Sequence, residues 1–464
     1  MPDAARIAPA RTASRPRPFL LPELCKGCGR CIDACPRHCI AAGEAVDPRT
    51  GLVPVELHLE DCNGCGLCLT ACPEPFGLRA EVSEPEEVHD FRAGALPEPV
   101  ADRHLPLAGR QPMAMKGAHA AAIGALAAGC RHFYGYPITP STEGSELMAR
   151  LLPRLGGHFV QAVSEVAAVN FLYGAGAAGV PAVTFTSSPG FSLMLEGVSY
   201  MIGAEIPAVI LNVMRGGPGL GNIAPEQTDI KLACHGLGHG NTRAIVLAPA
   251  SPQEMLDLTM LAFELAFRYR NPVIVLADGY LGQMTGRVRL PAHVVQPGTP
   301  AWAVTGDAAH RRNLVCSIHL SESDLEQHNL RLLGKYERIS RFEQRSESYR
   351  ADDADVLLIA CNTPARMAKG AVEELRAGGV AAGLFRPLTL WPFPVDALAP
   401  LVGRARRTIV VEAGPGQLAD EVRLALARAG HAVPPLGAVW RCGGTLPTTD
   451  DIVRHVLATE EVPA

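Results

Sequence analysis

Two cysteine runs hold the most distinctive chemistry in this sequence. The first reads Cys25-Lys-Gly-Cys28-Gly-Arg-Cys31-Ile-Asp-Ala-Cys35-Pro36, the second Cys62-Asn-Gly-Cys65-Gly-Leu-Cys68-Leu-Thr-Ala-Cys72-Pro73. Nine of the 14 cysteines lie between Cys25 and Cys72, and the other five are scattered. The first residues carry Arg6, Arg11, Arg15 and Arg17 without an apolar signal segment, so the clustered thiols point to metal ligation, not to a secreted disulfide framework. A pair of zinc knuckles is the rival reading. Zinc sites seldom repeat four cysteines at one spacing, each run ending in Cys-Pro.

The C-x2-C-x2-C-x3-C-P spacing resembles the bacterial-type ferredoxins over residues 20–80. Three closely spaced thiolates wrap one corner of an iron–sulfur cubane, and the fourth, expected to open a helix, is carried to the other cluster. The resemblance therefore implies two [4Fe–4S] clusters. One takes Cys25, Cys28, Cys31 and Cys72, the other Cys62, Cys65, Cys68 and Cys35. Glycines between the cysteines let backbone N–H groups approach the sulfur atoms. Cys39 falls outside the pattern and reads as a buried bystander. Such a module moves electrons one at a time.

A second set of residues suits acid–base and anion chemistry. Glu165 follows an apolar strand and precedes the small residues Val166, Ala167 and Ala168. It is either a carboxylate held in a dry pocket or an ordinary helix-capping acid. Arg215 ends an apolar run, where an unpaired charge is costly, so it needs an anionic partner or a structural ion pair. Thr139 lies between Pro137 and Pro140, and either presents a hydroxyl or stiffens a turn. Gly174-Ala-Gly176-Ala-Ala-Gly179 matches G-x-G-x-x-G, but it ends a helix and precedes a strand. That is the reverse of the dinucleotide-binding order, so tight helix–sheet packing is expected there.

Four segments carry a second resemblance: Tyr136-Pro-Ile-Thr139-Pro-Ser141-Thr142-Glu143, Ser164-Glu165-Val-Ala-Ala168, Thr186-Ser-Ser-Pro-Gly190-Phe191 and Arg215-Gly-Gly-Pro-Gly-Leu-Gly221. From Met115 to about residue 460 the chain resembles the alpha subunits of 2-oxoacid:ferredoxin oxidoreductases, and most of all the branched-chain (2-oxoisovalerate) group. The resemblance implies oxidative decarboxylation of a 2-oxoacid to acyl-CoA and CO₂, with thiamine diphosphate and Mg²⁺ as cofactors and CoA as co-substrate. It assigns Glu165 to the aminopyrimidine ring nitrogen, where a dry hydrogen bond favours the tautomer that activates the cofactor. It assigns Thr139 and Arg215 to the substrate carboxylate, a role suited to a hydroxyl and a charge-assisted guanidinium.

Ala277-Asp278-Gly279 lacks the first glycine of the Gly-Asp-Gly motif that holds Mg²⁺ and diphosphate. The resemblance thus implies a half-site, completed by a separate beta subunit, with a gamma subunit joining and ferredoxin or another carrier accepting electrons. Two rivals stay open at this level: an electron-transfer scaffold whose α/β part is inert, and a non-redox thiamine enzyme with vestigial clusters. Phenylglyoxylate-like or 2-oxoglutarate substrates also remain open.

The elements that must position these residues alternate. Strand-like runs at His132–Tyr136, Phe159–Val163, Ala182–Thr186, Ala208–Val213, Arg243–Leu247 and Pro272–Ala277 have helical stretches between them, among them Met115–Cys130 and Gln253–Arg268. This pattern predicts an α/β chain with a parallel sheet covered on both faces. The expected organisation is a disordered leader (1–19), a two-cluster ferredoxin domain (20–80), a linker (81–112), a pyrimidine-type thiamine-diphosphate domain (113–295), a connecting helical segment (296–350) and a transketolase C-terminal-like α/β domain (351–464).

The whole chain fits that picture. Its 464 residues exceed one compact domain, and 48% hydrophobic against 19% charged residues supports large cores. A net charge of −5 argues against binding nucleic-acid phosphates. No apolar run is long enough to suggest a membrane span. A cytoplasmic location is expected.

Overall fold

The structure is a computed structural model that describes residues 17–48, 50–74, 77–80, 97–109, 111–310 and 312–458. The chain divides into two compact units. One contains the N-terminal segment through Gly94 with Ile318–His328, the other Ala95–Ser317 with Asn329–Ala464. No helix among the described residues is long and apolar enough to cross a membrane.

The first unit is built twice from one pattern. Short helices Arg30–Asp33 and Leu67–Ala71 lie within the two cysteine runs and carry the third cysteine of each, and each is entered through a glycine (Gly29, Gly66) in the left-handed region. Strand Pro18–Leu20 pairs with Leu78–Ala80, and Ile40–Ala42 pairs with Val55–Leu57. The core is small, with Ile40, Val55 and Leu78 packed among Cys31, Cys35, Cys39 and Cys68. Two expectations change here. The fourth cysteines leave a helix instead of opening one: Cys72 caps Leu67–Ala71 at its C-terminal end, and Cys35 follows Arg30–Asp33. The proline after each disfavours helical backbone at the residue before it. The expected leader also gives up its last residues, because Pro18 and Phe19 complete a strand pair; residues 1–16 lie outside the described residues.

The second unit is organised by a seven-stranded sheet. Its order is Thr389–Trp391, Ile245–Leu247, Pro272–Asp278, Ala208–Met214, Ala182–Thr186, His132–Gly135 and His158–Gln161. All neighbours are parallel except Thr389–Trp391, which runs antiparallel at one edge. The central strands are buried along their whole length, which explains why Ala208–Met214 and Pro272–Asp278 are apolar apart from Asn212 and Asp278. A five-stranded sheet follows, ordered Ser346–Tyr349, Ala382–Pro387, Val356–Ile359, Arg407–Glu412, Leu436–Trp440.

Small residues in the helix Gly117–Ala127 serve close packing. A Cβ on Gly117 would lie 2.1 Å from the Leu281 carbonyl oxygen, and one on Gly124 would lie 2.5 Å from that of Leu256. This helix starts later than the expected Met115, because Met113–Lys116 is drawn into an antiparallel pair with Thr285–Val288. Within the expected linker, residues 81–96 fall outside the described residues and Arg103–Pro106 pairs with His293–Gln296. The expected connecting helix is confined to Glu322–Phe342, since Ser346–Tyr349 is recruited to the five-stranded sheet.

Gly176 and Gly179 behave as packing glycines. At the end of the helix Glu165–Ala177 a Cβ on Gly176 would lie 2.4 Å from Ile206 Cγ2 and from the Pro207 carbonyl oxygen. Just past it one on Gly179 would lie 2.8 Å from Ala303 Cβ, whereas one on Gly174 would meet nothing within 4 Å.

Candidate functional site

Strand order locates the main crevice. The chain runs from His132–Gly135 outward to His158–Gln161, then returns to the other side of the first strand as Ala182–Thr186. Such a reversal opens a crevice at the carboxyl ends of the strands, where open α/β sheets bind ligands. Four connections leave the sheet at that end; they, or the first turns of the helices that follow, carry Thr139, Glu165, Ser187–Gly190 and Arg215.

Glu165 is the first residue of its helix, capped by Ser164, whose hydroxyl accepts from the Ala167 N–H at 3.2 Å. The residue is only 5% exposed. Its carboxylate faces the backbone of Gly190, where an added Cβ would lie 2.5 Å from both Glu165 Oε1 and Thr186 Oγ1. Gly190 therefore lets the carboxylate and the Thr186 hydroxyl lie directly against its backbone, which any side chain would push away.

Arg215 follows the central strand Ala208–Met214 and is 7% exposed. Its Nη1 donates to the Thr139 carbonyl oxygen at 2.9 Å and its Nη2 to that of Leu220 at 3.3 Å. The structure thus brings Arg215 and Thr139 together through the threonine backbone, which leaves the hydroxyl uncommitted to that contact. No carboxylate among the described residues pairs with Arg215, and its buried Nε has no hydrogen-bond partner. The Thr139 turn is pinned from behind. Gln283 Nε2 donates to the Pro140 carbonyl oxygen at 3.4 Å, and Lys116 Nζ donates to Gln283 Oε1 at 3.2 Å.

Buried polar atoms without partners gather at this end of the sheet: Thr186 Oγ1, Ser187 Oγ, Arg215 Nε and Glu226 Oε2. Unpaired buried groups are costly and rare in native proteins, so their convergence marks a place where a polar ligand completes the bonding. Thr186, Ser187 and Gly190 lie in one of the segments that carry the family resemblance, but no role was legible for any of them. None was for Gln283 either, because it acts through Pro140 and Lys116, which the fold sets beside it.

Asp278 is committed elsewhere. It accepts from the Leu281 N–H at 3.0 Å, from the Thr363 N–H at 2.9 Å and from the Thr363 hydroxyl at 2.7 Å. Complete burial pushes its carboxyl above the usual range. It caps a helix and ties the two sheets of this unit together.

In the first unit the cysteines surround two voids. Cys25, Cys28, Cys31 and Cys72 line one; Cys35, Cys62, Cys65 and Cys68 line the other, with Cys39 beside them. Each void thus draws three thiols from one run and the fourth from the other. Among the described residues, no three His, Cys, Asp or Glu side chains converge closely enough for a single metal ion. Thiols arranged around a void suit a polynuclear cluster. The Gly27 and Val55 N–H groups donate to Cys25 Sγ, both at 3.5 Å, and the Cys39 N–H donates to Cys35 Sγ at 3.3 Å.

Three family descriptions match the chain. Residues 24–75 match a 4Fe–4S dicluster domain, 123–316 the thiamine-diphosphate-binding part of pyruvate flavodoxin/ferredoxin oxidoreductases, and 354–452 core domain II of pyruvate:ferredoxin oxidoreductase. The ketoisovalerate oxidoreductase subunit VorB of Methanothermobacter thermautotrophicus is 47% identical, over 74% of this chain and 96% of that protein. The 2-oxoglutarate synthase subunit KorA of Archaeoglobus fulgidus is 41% identical, over 66% of this chain and 90% of that protein. Among solved structures, the 2-oxoglutarate:ferredoxin oxidoreductase of Magnetococcus marinus, with 2-oxoglutarate, coenzyme A and succinyl-CoA bound, aligns at a TM-score of 0.69 and 28% identity, over 75% of this chain and 65% of that one.

Proposed function

Because the chain belongs to the 2-oxoacid:ferredoxin oxidoreductases as an alpha-type subunit, we propose that it oxidatively decarboxylates a branched-chain 2-oxoacid, passing the acyl group to CoA and electrons to iron–sulfur clusters. The observation that carries this reading is Arg215, a buried guanidinium with an unpaired Nε in the same crevice as the Glu165 carboxylate. A monocarboxylate entering beside Thr139 would satisfy the Nε and the Thr139 hydroxyl together, and a buried guanidinium holds such an anion by charge-assisted hydrogen bonds. The branched-chain assignment draws on the identity to the ketoisovalerate oxidoreductase subunit.

The residues fit the pyrimidine half of thiamine diphosphate. Glu165 would hold the ring nitrogen, Gly190 lets that carboxylate lie against its backbone, and Thr186 Oγ1 offers an unused polar atom. When bound, the cofactor supplies the carbon that attacks the keto group and stores the electrons left after CO₂ departs. Glu165, in its dry pocket, controls the proton on the pyrimidine. Arg215 and Thr139 orient the substrate carboxylate as the leaving group.

The diphosphate half does not fit this chain, since Asp278 is consumed by Leu281 and Thr363. A beta subunit would bring the Mg²⁺ and diphosphate ligands. The crevice mouth suits such a partner: Val163, Leu220 and Ile223 are 89%, 84% and 62% exposed, and Tyr136, Val166, Leu193 and Tyr280 join them. Large apolar side chains gathered at one rim mark a surface that another chain covers. A gamma subunit, and ferredoxin as the acceptor, complete the proposed assembly. In the first unit, Cys25, Cys28, Cys31 and Cys72 would hold one [4Fe–4S] cluster, and Cys35, Cys62, Cys65 and Cys68 the other.

The test is dye reduction by the anaerobically purified complex across branched, aromatic, short and dicarboxylic 2-oxoacids. Reduction by branched-chain acids only when CoA is present is the expected result. Preference for 2-oxoglutarate or an aryl acid overturns the substrate class, and inertness at full iron and thiamine content overturns the enzyme reading.

A further inference from the structure

Arg215 is gripped at both ends of its own residue. Its backbone N–H donates to Ser188 Oγ at 3.1 Å, and its carbonyl oxygen accepts from Thr228 Oγ1 at 3.0 Å. The two hydroxyls lie 3.2 Å apart, so they form one bridge across the end of the central strand. Thr228 Oγ1 also lies 3.2 Å from Asp229 Oδ1, and Asn212 Nδ2 donates to Asp229 Oδ2 at 2.9 Å. Asn212 stands on that same strand, so the ring Asn212, Asp229, Thr228, Arg215 closes on itself. Asn212 and Asp229 are both buried.

This ring sets where the guanidinium starts from. The side chain itself is held only by the carbonyls of Thr139 and Leu220, both in loops. Loop carbonyls move with their loops, whereas a buried ring anchored on a central strand does not. A displaced guanidinium grips a carboxylate less well, and binding lost equally in the ground state and the transition state appears as a raised KM. The ring also has an arm from the other sheet. Gln417, first residue of the helix Gln417–Arg428, donates through Nε2 to the Thr228 carbonyl oxygen at 2.6 Å and accepts from the Lys231 N–H at 3.1 Å.

We propose that Thr228 is a positioning residue for the substrate contact of Arg215, that Ser188 and Asp229 fix its hydroxyl, and that Gln417 extends this control to the five-stranded sheet. The proposal rests on the carboxylate-binding role given to Arg215. Thr228 touches no substrate in this scheme; it acts through the backbone of its neighbour. The hydroxyl is the operative group, so serine should serve where valine, nearly the same shape, does not.

The experiment compares Thr228→Val, Thr228→Ser, Gln417→Ala and Arg215→Gln in the complete, anaerobically purified complex. Thr228→Val is expected to raise the KM for the 2-oxoacid about tenfold while kcat and the KM for CoA stay within about threefold, and Thr228→Ser to restore the 2-oxoacid KM to within about threefold of wild type. Gln417→Ala should move the same KM upward by a smaller factor. If Thr228→Val does not accumulate, Ser188→Ala carries the same expectation. A 2-oxoacid KM unchanged in Thr228→Val but raised in Arg215→Gln overturns the positioning role alone. An unchanged KM in Arg215→Gln overturns the substrate role of the arginine, and the proposal with it. Equal rises in the KM for CoA and for the 2-oxoacid point to general damage and overturn the proposal as well.

Discussion

Gly190 illustrates how residue-scale geometry constrains the site. Its missing side chain leaves Glu165 Oε1 and Thr186 Oγ1 in place, since a methyl group there would lie 2.5 Å from both. Gly190→Ala should therefore lower kcat by roughly 10- to 100-fold through displacement of the carboxylate, although alanine is the better helix former. Steady-state kinetics alongside a thermal melt separate the two effects, and an unchanged kcat would contradict the geometry. The cysteines make a second residue-scale prediction. Cys72 lies in the second run but lines the void of the first. Cys72→Ala should remove the cluster otherwise held by Cys25, Cys28 and Cys31, leaving about half the iron of the N-terminal unit. Cys39→Ala should keep it all. Iron analysis with electron paramagnetic resonance distinguishes the two.

At the scale of elements, the helix Glu165–Ala177 separates packing from chemistry. A Cβ on Gly174 would meet nothing within 4 Å, whereas one on Gly176 would strike Ile206 and Pro207. Gly174→Ala should stabilise the chain by about 0.5–1 kcal/mol, and Gly176→Ala should destabilise it by about 1–3 kcal/mol. Denaturation of the isolated chain checks both signs. The helix Glu322–Phe342 carries a buried cation, Lys335, paired with Glu205 at 3.4 Å. Burial lowers its ammonium to about 8, and the neighbouring Glu205 only partly offsets this. The unfolded chain, with a lysine near ~10.4, binds more protons between those values, so this group makes stability rise with pH from about 8 to about 10.4. Lys335→Met should remove that slope, since Arg331 still pairs with Glu205 at 2.8 Å. Melting temperatures across that window report it.

These elements also explain what the sequence disclosed. Ala182–Thr186 was legible to the residue, because a fully buried parallel strand is a short run of apolar and β-branched residues. Thr389–Trp391 was not legible as an edge strand of the first sheet, because a three-residue antiparallel addition has no period and depends on where the chain returns. Glu165, Thr139 and Arg215 stood out by type and context. Thr228 and Asp229 did not, since a polar pair after Gln227 gains meaning only when the fold sets it beside Arg215.

For the whole molecule, the proposed function gives the chain half of a cofactor site and an apolar rim to which the other half would dock. Leu220→Glu and Ile223→Glu should weaken assembly with the beta subunit while leaving the melting temperature of the isolated chain unchanged, as both side chains are largely exposed. Size-exclusion chromatography of mixed subunits tests this, and full assembly of both variants would contradict the rim assignment. Iron–sulfur and thiamine-binding regions joined in one chain suit a reaction whose two electrons must leave singly. A hydride acceptor would need neither cluster.

The central claim is that this chain supplies catalytic residues and is not a scaffold for electron carriers. Glu165→Gln in the complete complex tests it most directly, with turnover measured at matched iron and thiamine content. The account predicts loss of CoA-dependent 2-oxoacid oxidation by about 100-fold or more, as expected for a positioned acid–base group, while the clusters still accept electrons from a chemical reductant. Turnover within a few-fold of wild type would contradict it.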